Sequence, residues 1–171
     1  LIIQMLILFH KTFKSEKDIS QSLDKARKME SKSDQMQEEI SIYLAECTKH
    51  ELSFESSKGA AAMMRVVNEL ESVGDSTLNL FLQIDRLKDD SKLSNQIKEE
   101  VLEMYSVVME FIEWNNSFIL NDIQSISQED LDKSVIYERK IDDFRNRLID
   151  SSRQRISEGA LPKVELLFMD I

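Results

Sequence analysis

Apolar residues recur along this chain with helical rather than strand periodicity, in long runs separated by short polar stretches. The opening, Leu1 to about Phe13, predicts a short helix, and Ser15-Glu16-Lys17-Asp18 supplies a capping-box-like start for the next. From Ile19 a 4-3 spaced line of Ile19, Leu23, Ala26, Glu30, Ser33, Gln37, Ile40, Leu44 and Cys47 reads as a bundle seam whose middle three members are polar. After the polar stretch Thr48 to Ser53, a third helix runs through Ala60-Ala61-Ala62-Met63-Met64 to about Leu87 on the stripe Ala60, Met64, Val67, Glu71, Asp75, Leu78, Leu82. Acids again interrupt its centre, and Gly74 stands between them where a neighbour can come close.

Beyond the polar connection Lys88 to Ser94, Ile97, Val101, Met104, Val108, Phe111, Phe118 and Ile119 mark a fourth helix ending near Ile126. Ser127-Gln128-Glu129-Asp130 is another cap signal, and a fifth helix carries Leu131, Val135, Glu138, Ile141, Asp142, Leu148 and Ile156 until Gly159 stops it. Pro162 suits the first turn of a sixth helix bearing Val164, Leu166, Leu167, Phe168 and Ile171, which is expected to be cut short. Met29-Glu30-Ser31-Lys32-Ser33-Asp34 lies well on Tyr137-Glu138-Arg139-Lys140-Ile141-Asp142. The fold expected is therefore an all-α bundle of long antiparallel helices in two three-helix repeats, about 1–89 and about 91–171.

Composition agrees with helices, since the 171 residues include only 3 Gly and 1 Pro. A formal charge of −10, from 32 acidic and 22 basic residues, repels phosphate backbones and excludes nucleic acid as an expected partner. The lone Cys47 can form no internal disulfide. The apolar opening is too short to span a bilayer and lacks the pattern of a secretory signal, so the chain reads as a piece of a longer protein.

Chemistry concentrates in three Glu-x-x-x-Asp pairs: Glu30 with Asp34, Glu71 with Asp75, and Glu138 with Asp142. Four-residue spacing puts both carboxylates of a pair on one helix face, where like charges repel. Each pair is bounded on its stripe by apolar residues, so a cation shared between carboxylates would offset the repulsion. If the second and third helices form a hairpin about His50 and Glu51, Glu30 and Glu71 both lie 20 residues from the turn, about 30 Å along the bundle. Four carboxylates then meet at one level, a set suited to hard divalent or trivalent metals.

The competing structural explanation pairs these acids with Lys32, Arg65, Arg139 or Lys140 in polar layers that fix helix register. A ferritin-like di-iron site needs Glu-x-x-His on two helices, and neither His10 nor His50 follows a glutamate by three. No glycine-rich phosphate loop or serine elbow occurs, so no enzyme is expected. Cys47, Met63, Met64, Tyr105 and Trp114 fit packing roles.

Asn68-Glu69-Leu70-Glu71-Ser72-Val73-Gly74-Asp75, with Asn79 beyond, resembles the Leu-Glu-Arg-Ile-Gly-Asp signature of PhoU domains, and Glu30-Ser31-Lys32-Ser33-Asp34 resembles the motif on the preceding helix. Ile40-Ser41-Ile42-Tyr43-Leu44 followed by Glu51-Leu52-Ser53-Phe54-Glu55-Ser56 is more similar to the PhoU-like domain at the cytoplasmic end of bacterial sodium/phosphate cotransporters than to free-standing PhoU. The resemblance implies two three-helix units side by side. It also implies multinuclear iron or zinc held by Glu30, Asp34, Glu71, Asp75, Glu138 and Asp142. By the same likeness the domain would sit at the cytoplasmic face of the inner membrane, regulating phosphate uptake with the membrane transporter portion of the same chain as partner. Ser72 replaces the family's arginine, and the second Gly-Asp motif would fall past Ile171, leaving the second site incomplete. The alternatives are a free-standing PhoU-type signalling regulator, or a metal-free helical scaffold that forms a homodimer.

Overall fold

The computed structural model describes residues 1–15, 19–49, 51–87, 94–121 and 126–169. They form an all-α structure of six helices: α1 (Ile2–Ser15), α2 (Ile19–Thr48), α3 (Phe54–Leu87), α4 (Asn95–Asn121), α5 (Gln128–Ser157) and α6 (Pro162–Met169). The third helix starts at Phe54, directly after the polar stretch Thr48 to Ser53 as expected, where Ser53 Oγ accepts the Ser56 N–H at 3.1 Å and so caps the first turn. The fourth is described as far as Asn121, and the stretch up to its expected end near Ile126 falls outside the described residues. Of the cap expected at Ser15 to Asp18, residues 16–18 fall outside the described residues, as does the turn residue His50.

The chain divides into two compact units, Leu1–Asp85 and Arg86–Ile171. In the first, Ile2, Met5, Leu6, Phe9 and Phe13 lie on one side of α1 and are buried with Ile19, Leu23 and Ala26 of α2 and Phe81 of α3. Phe9 stacks on Phe13 and meets Phe81 edge-on, each at a centroid distance of 5.6 Å. Thr12 Oγ1 donates to the Leu8 carbonyl at 2.8 Å and lies 2.9 Å from Ser22 Oγ, satisfying a buried hydroxyl. The apolar side of α1 is thus turned inward. Among the described residues no helix is long and apolar enough to cross a membrane.

The seam of α2 follows the expected line at Ile19, Leu23, Ala26, Ser33 and Leu44, but Ile40 is exposed. On α3 the buried positions are Gly74, Thr77 and Phe81, one residue before the predicted Asp75, Leu78 and Leu82. One residue is about 100° of helix rotation, so the acids move from the centre of the contact to its edge. Gly74 explains the shift. A Cβ there would stand 3.0 Å from Ile2 Cδ1, so the bare glycine gives the tip of α1 the space it needs, while Ser33 Oγ of α2, at 3.7 Å, would be in ordinary contact.

In the second unit, Ser127 forms the expected capping box. Its side chain accepts from the Asp130 N–H at 3.2 Å, while its own N–H donates to Asp130 Oδ2 at 2.9 Å. At the other end of α5 Gly159 takes φ +99°, and the N–H groups of Gly159 and Ala160 donate to the carbonyls of Ile156 and Arg155 in a Schellman closure. The buried line of α5 is Tyr137, Phe144 and Ser152, not Leu131, Val135 and Glu138, because Tyr137 stacks on Phe111 and Trp114 of α4. The sequence reading also passed over Arg155. Its guanidinium donates to both oxygens of Glu165 on α6 at 3.0 Å, to both of Glu100 on α4 at 2.9 Å, and to Ser151 and Ser152. One side chain, 12% exposed, thereby ties three helices beside a small core of Leu87, Ile97 and Val164.

Two substitutions probe these contacts. Gly74→Leu must push α1 and α2 from α3 and should destabilise the protein by about 1–3 kcal/mol in urea unfolding. Arg155→Ala leaves Glu165 buried without its partner and should cost about 3–5 kcal/mol, read by the same measurement.

Candidate carboxylate site

The site lies between α2 and α3 of the first unit. Gln37 Nε2 donates to Asn68 Oδ1 at 2.9 Å, and Ser33 faces Gly74, so the two helices run antiparallel with facing residue numbers that sum to 105 or 107. That register puts Glu30 opposite Asp75 and Asp34 opposite Glu71. It corrects the expectation that Glu30 faces Glu71. The register centres between residues 52 and 54, past the turn expected at His50 and Glu51, so the partner moves by about one helical turn. Since each acidic pair is itself spaced by one turn, the displacement exchanges partners but keeps the four carboxylates together.

Glu30, Asp34 and Asp75 each offer an oxygen within 4.8 Å of the other two. Glu71 joins at the edge, within hydrogen-bonding reach of Asp75. Glu30 and Glu71 are half-buried, Asp34 and Asp75 exposed. Burial and then the charges of Asp34 and Asp75 hold the Glu30 carboxyl above its ordinary value, while Asp75 is the main cause of the same upward shift at Glu71. Among the described residues no lysine or arginine forms an ion pair with any of the four, so Lys32 and Arg65 do not neutralise them as the register explanation required. A proton held on Glu30 or Glu71, or a bound cation, would relieve the repulsion.

Carboxylate oxygens bound to one ion at about 2.0–2.6 Å stand no more than about 5 Å apart, which the observed spacing meets. The donors are oxygen only. Such a set fits a hard cation and carries no nitrogen or sulfur ligand of the kind zinc favours. Bound there, a cation would supply positive charge that holds the two helices at this level, with Glu30, Asp34 and Asp75 as its ligands and Glu71 at its edge.

The remaining predicted pair is placed differently. Glu138 and Asp142 are exposed on α5, away from its buried line of Tyr137 and Phe144, and Asp142 pairs with Arg145 at 3.2 Å. Among the described residues they join no group of three ligating side chains. Sequence reasoning named Gln37 and Asn68 but did not pair them, and the hydrogen bond between their side-chain amides sets the register above the acids. Their level spacing from Asp75 and Glu30 was the available signal. Comparison of the chain with protein-family models, with curated proteins and with solved structures finds no match.

The pKa directions fix the sign of a pH effect. Folded Glu30 and Glu71 hold protons more tightly than in the unfolded chain, so stability falls as pH rises above 4.5, the ordinary value of a glutamate, through their raised values. In chelator, the urea midpoint should decline over that window for the native chain. Glu30→Gln/Glu71→Gln should flatten the decline and raise the midpoint at pH 7.

Proposed function

We infer that this chain is a PhoU-like, non-enzymatic regulatory domain of a sodium-dependent phosphate transporter, acting at the cytoplasmic face of the inner membrane with the transporter portion as its partner. The observation that supports the reading is the meeting of Glu71 and Asp75, from the stretch that resembles the PhoU signature, with Glu30 and Asp34 from the helix before it. Gly74 gives that stretch a physical sense: it faces Ser33 of α2 and makes room for Ile2 of α1, and the acids on either side of it stand near the carboxylates of the facing helix. In this reading the four acids take a hard cation, iron within the family likeness, and its occupancy sets how firmly α2 and α3 are joined.

A second reading is favoured by the contact of Asp75 with both Glu30 and Glu71. Carboxyls sharing protons can hold register without metal, as a helical scaffold would require.

Elemental analysis separates the two. Protein purified without chelator or nickel resin should carry stoichiometric metal that is lost in Glu71→Ala/Asp75→Ala. No metal in either sample would favour the scaffold. In the cell that encodes the chain, the same double substitution should change the dependence of phosphate uptake on external phosphate, and unchanged uptake would overturn the regulatory assignment.

A further inference from the structure

In the first unit α1 rests on α3 at two points, two helical turns apart on each helix: Ile2 meets Gly74, and Phe9 meets Phe81. The two helices therefore run parallel, joined at one point by an edge-on aromatic pair at 5.6 Å and at the other by a bare glycine. Met5 and Leu6 between these points are buried, as is Phe13 beyond them. Such packing leaves α1 little freedom to tilt away from α3. Ile2 is itself only 8% exposed, so its side chain cannot turn aside without disturbing its neighbours.

The same level carries the carboxylates. Ser33 faces Gly74, and the residues that follow them, Asp34 and Asp75, are each turned about 100° round their helices and exposed. On two antiparallel helices that turn brings both residues to one edge of the seam, while α1 covers the other, where Thr77 and Phe81 are buried. The α1 edge is close-packed; the carboxylate edge has no ion pair among the described residues, and its charges repel. A displacement forced on α3 at Gly74 is therefore taken up at the carboxylate edge, and it moves Asp75 against Glu30 and Asp34. We propose that Ile2 is a positioning residue of the carboxylate site: seated on Gly74, it sets where Asp75 stands relative to Glu30 and Asp34, whose oxygens meet within 4.8 Å, and so sets how tightly the three hold a hard cation. This role rests on the reading of the acids as a cation site. The link works in both directions, because a cation that prefers the seated geometry stabilises the seat by the same factor. A filled site holds α1 in place, and anything that draws α1 off Gly74 weakens the site.

The test moves one methyl group across the contact. Gly74→Ala adds a Cβ 3.0 Å from Ile2 Cδ1, and Ile2→Val removes that Cδ1. Mn2+, a hard cation suited to oxygen ligands, is titrated into the chelator-treated whole chain by calorimetry. Gly74→Ala should weaken binding by about fivefold or more. Ile2→Val alone should leave it near the native value, and the two together should restore it, with the helical circular dichroism unchanged throughout. Gly59→Ala, the same change on α3 where a Cβ meets nothing within 4 Å, should have no effect. In the native chain Mn2+ should slow amide hydrogen exchange severalfold at Met5 and Leu6, and Glu71→Ala/Asp75→Ala should abolish that slowing; this arm holds even where Gly74→Ala fails to fold. Native affinity in Gly74→Ala, failure of Ile2→Val to restore it, or exchange in α1 indifferent to Mn2+ would overturn the positioning role and leave the cation site standing. A native chain that binds no Mn2+ would overturn the cation reading and the positioning role with it.

Discussion

The first unit depends on how closely three helices can approach at one point. Ser33 of α2, Ile2 of α1 and the bare Cα of Gly74 on α3 converge there, so closely that a Cβ on Gly74 would stand 3.0 Å from Ile2 Cδ1. Everything else about the carboxylate site follows from that contact. It fixes which residues face each other and turns the acids beside Gly74 toward the edge of the interface. There water still reaches Asp34 and Asp75, while Glu30 and Glu71 lose part of it. A seam centred on the acids would have required burying charges without partners, at several kcal/mol each. The small residues occupy the seam instead, and the charges lie beside it.

Helix content was legible from the scarcity of Gly and Pro and from the spacing of apolar residues. The cap at Ser127 and the stop at Gly159 were readable because they depend on a few adjacent residues. Rotation of each helix was harder to read. On α3 the sequence stripe through Glu71, Asp75, Leu78 and Leu82 and the buried line through Gly74, Thr77 and Phe81 differ by a single residue, and a hydrophobicity pattern cannot favour Gly and Thr over Leu. On α5 the same ambiguity hid Tyr137, whose hydroxyl donates to Glu110 at 2.8 Å while its ring packs on α4. The gathering of Glu30, Asp34, Glu71 and Asp75 was legible because one-turn spacing survives an error of one turn in register.

The two units are held by different chemistry. The first relies on small residues and aromatic packing around α1, and its charged groups repel. The second draws α4, α5 and α6 around Arg155, whose five donor hydrogens meet two carboxylates and two serine hydroxyls. Nothing in a single sequence marks Arg155 and Glu165 as partners, since the nine residues between them include a helix end, a turn and Pro162. Only the Schellman closure at Gly159, which reverses the chain, brings them together.

Trp114 is the sole tryptophan of the chain, and it lies in the second unit, stacked on Phe111, edge-on to Phe118 and tilted against Tyr137. Its emission is therefore a local reporter in a molecule whose ultraviolet dichroism comes from helices in both units. Light of two wavelengths can follow one unfolding experiment and distinguish the fate of one half from that of the whole.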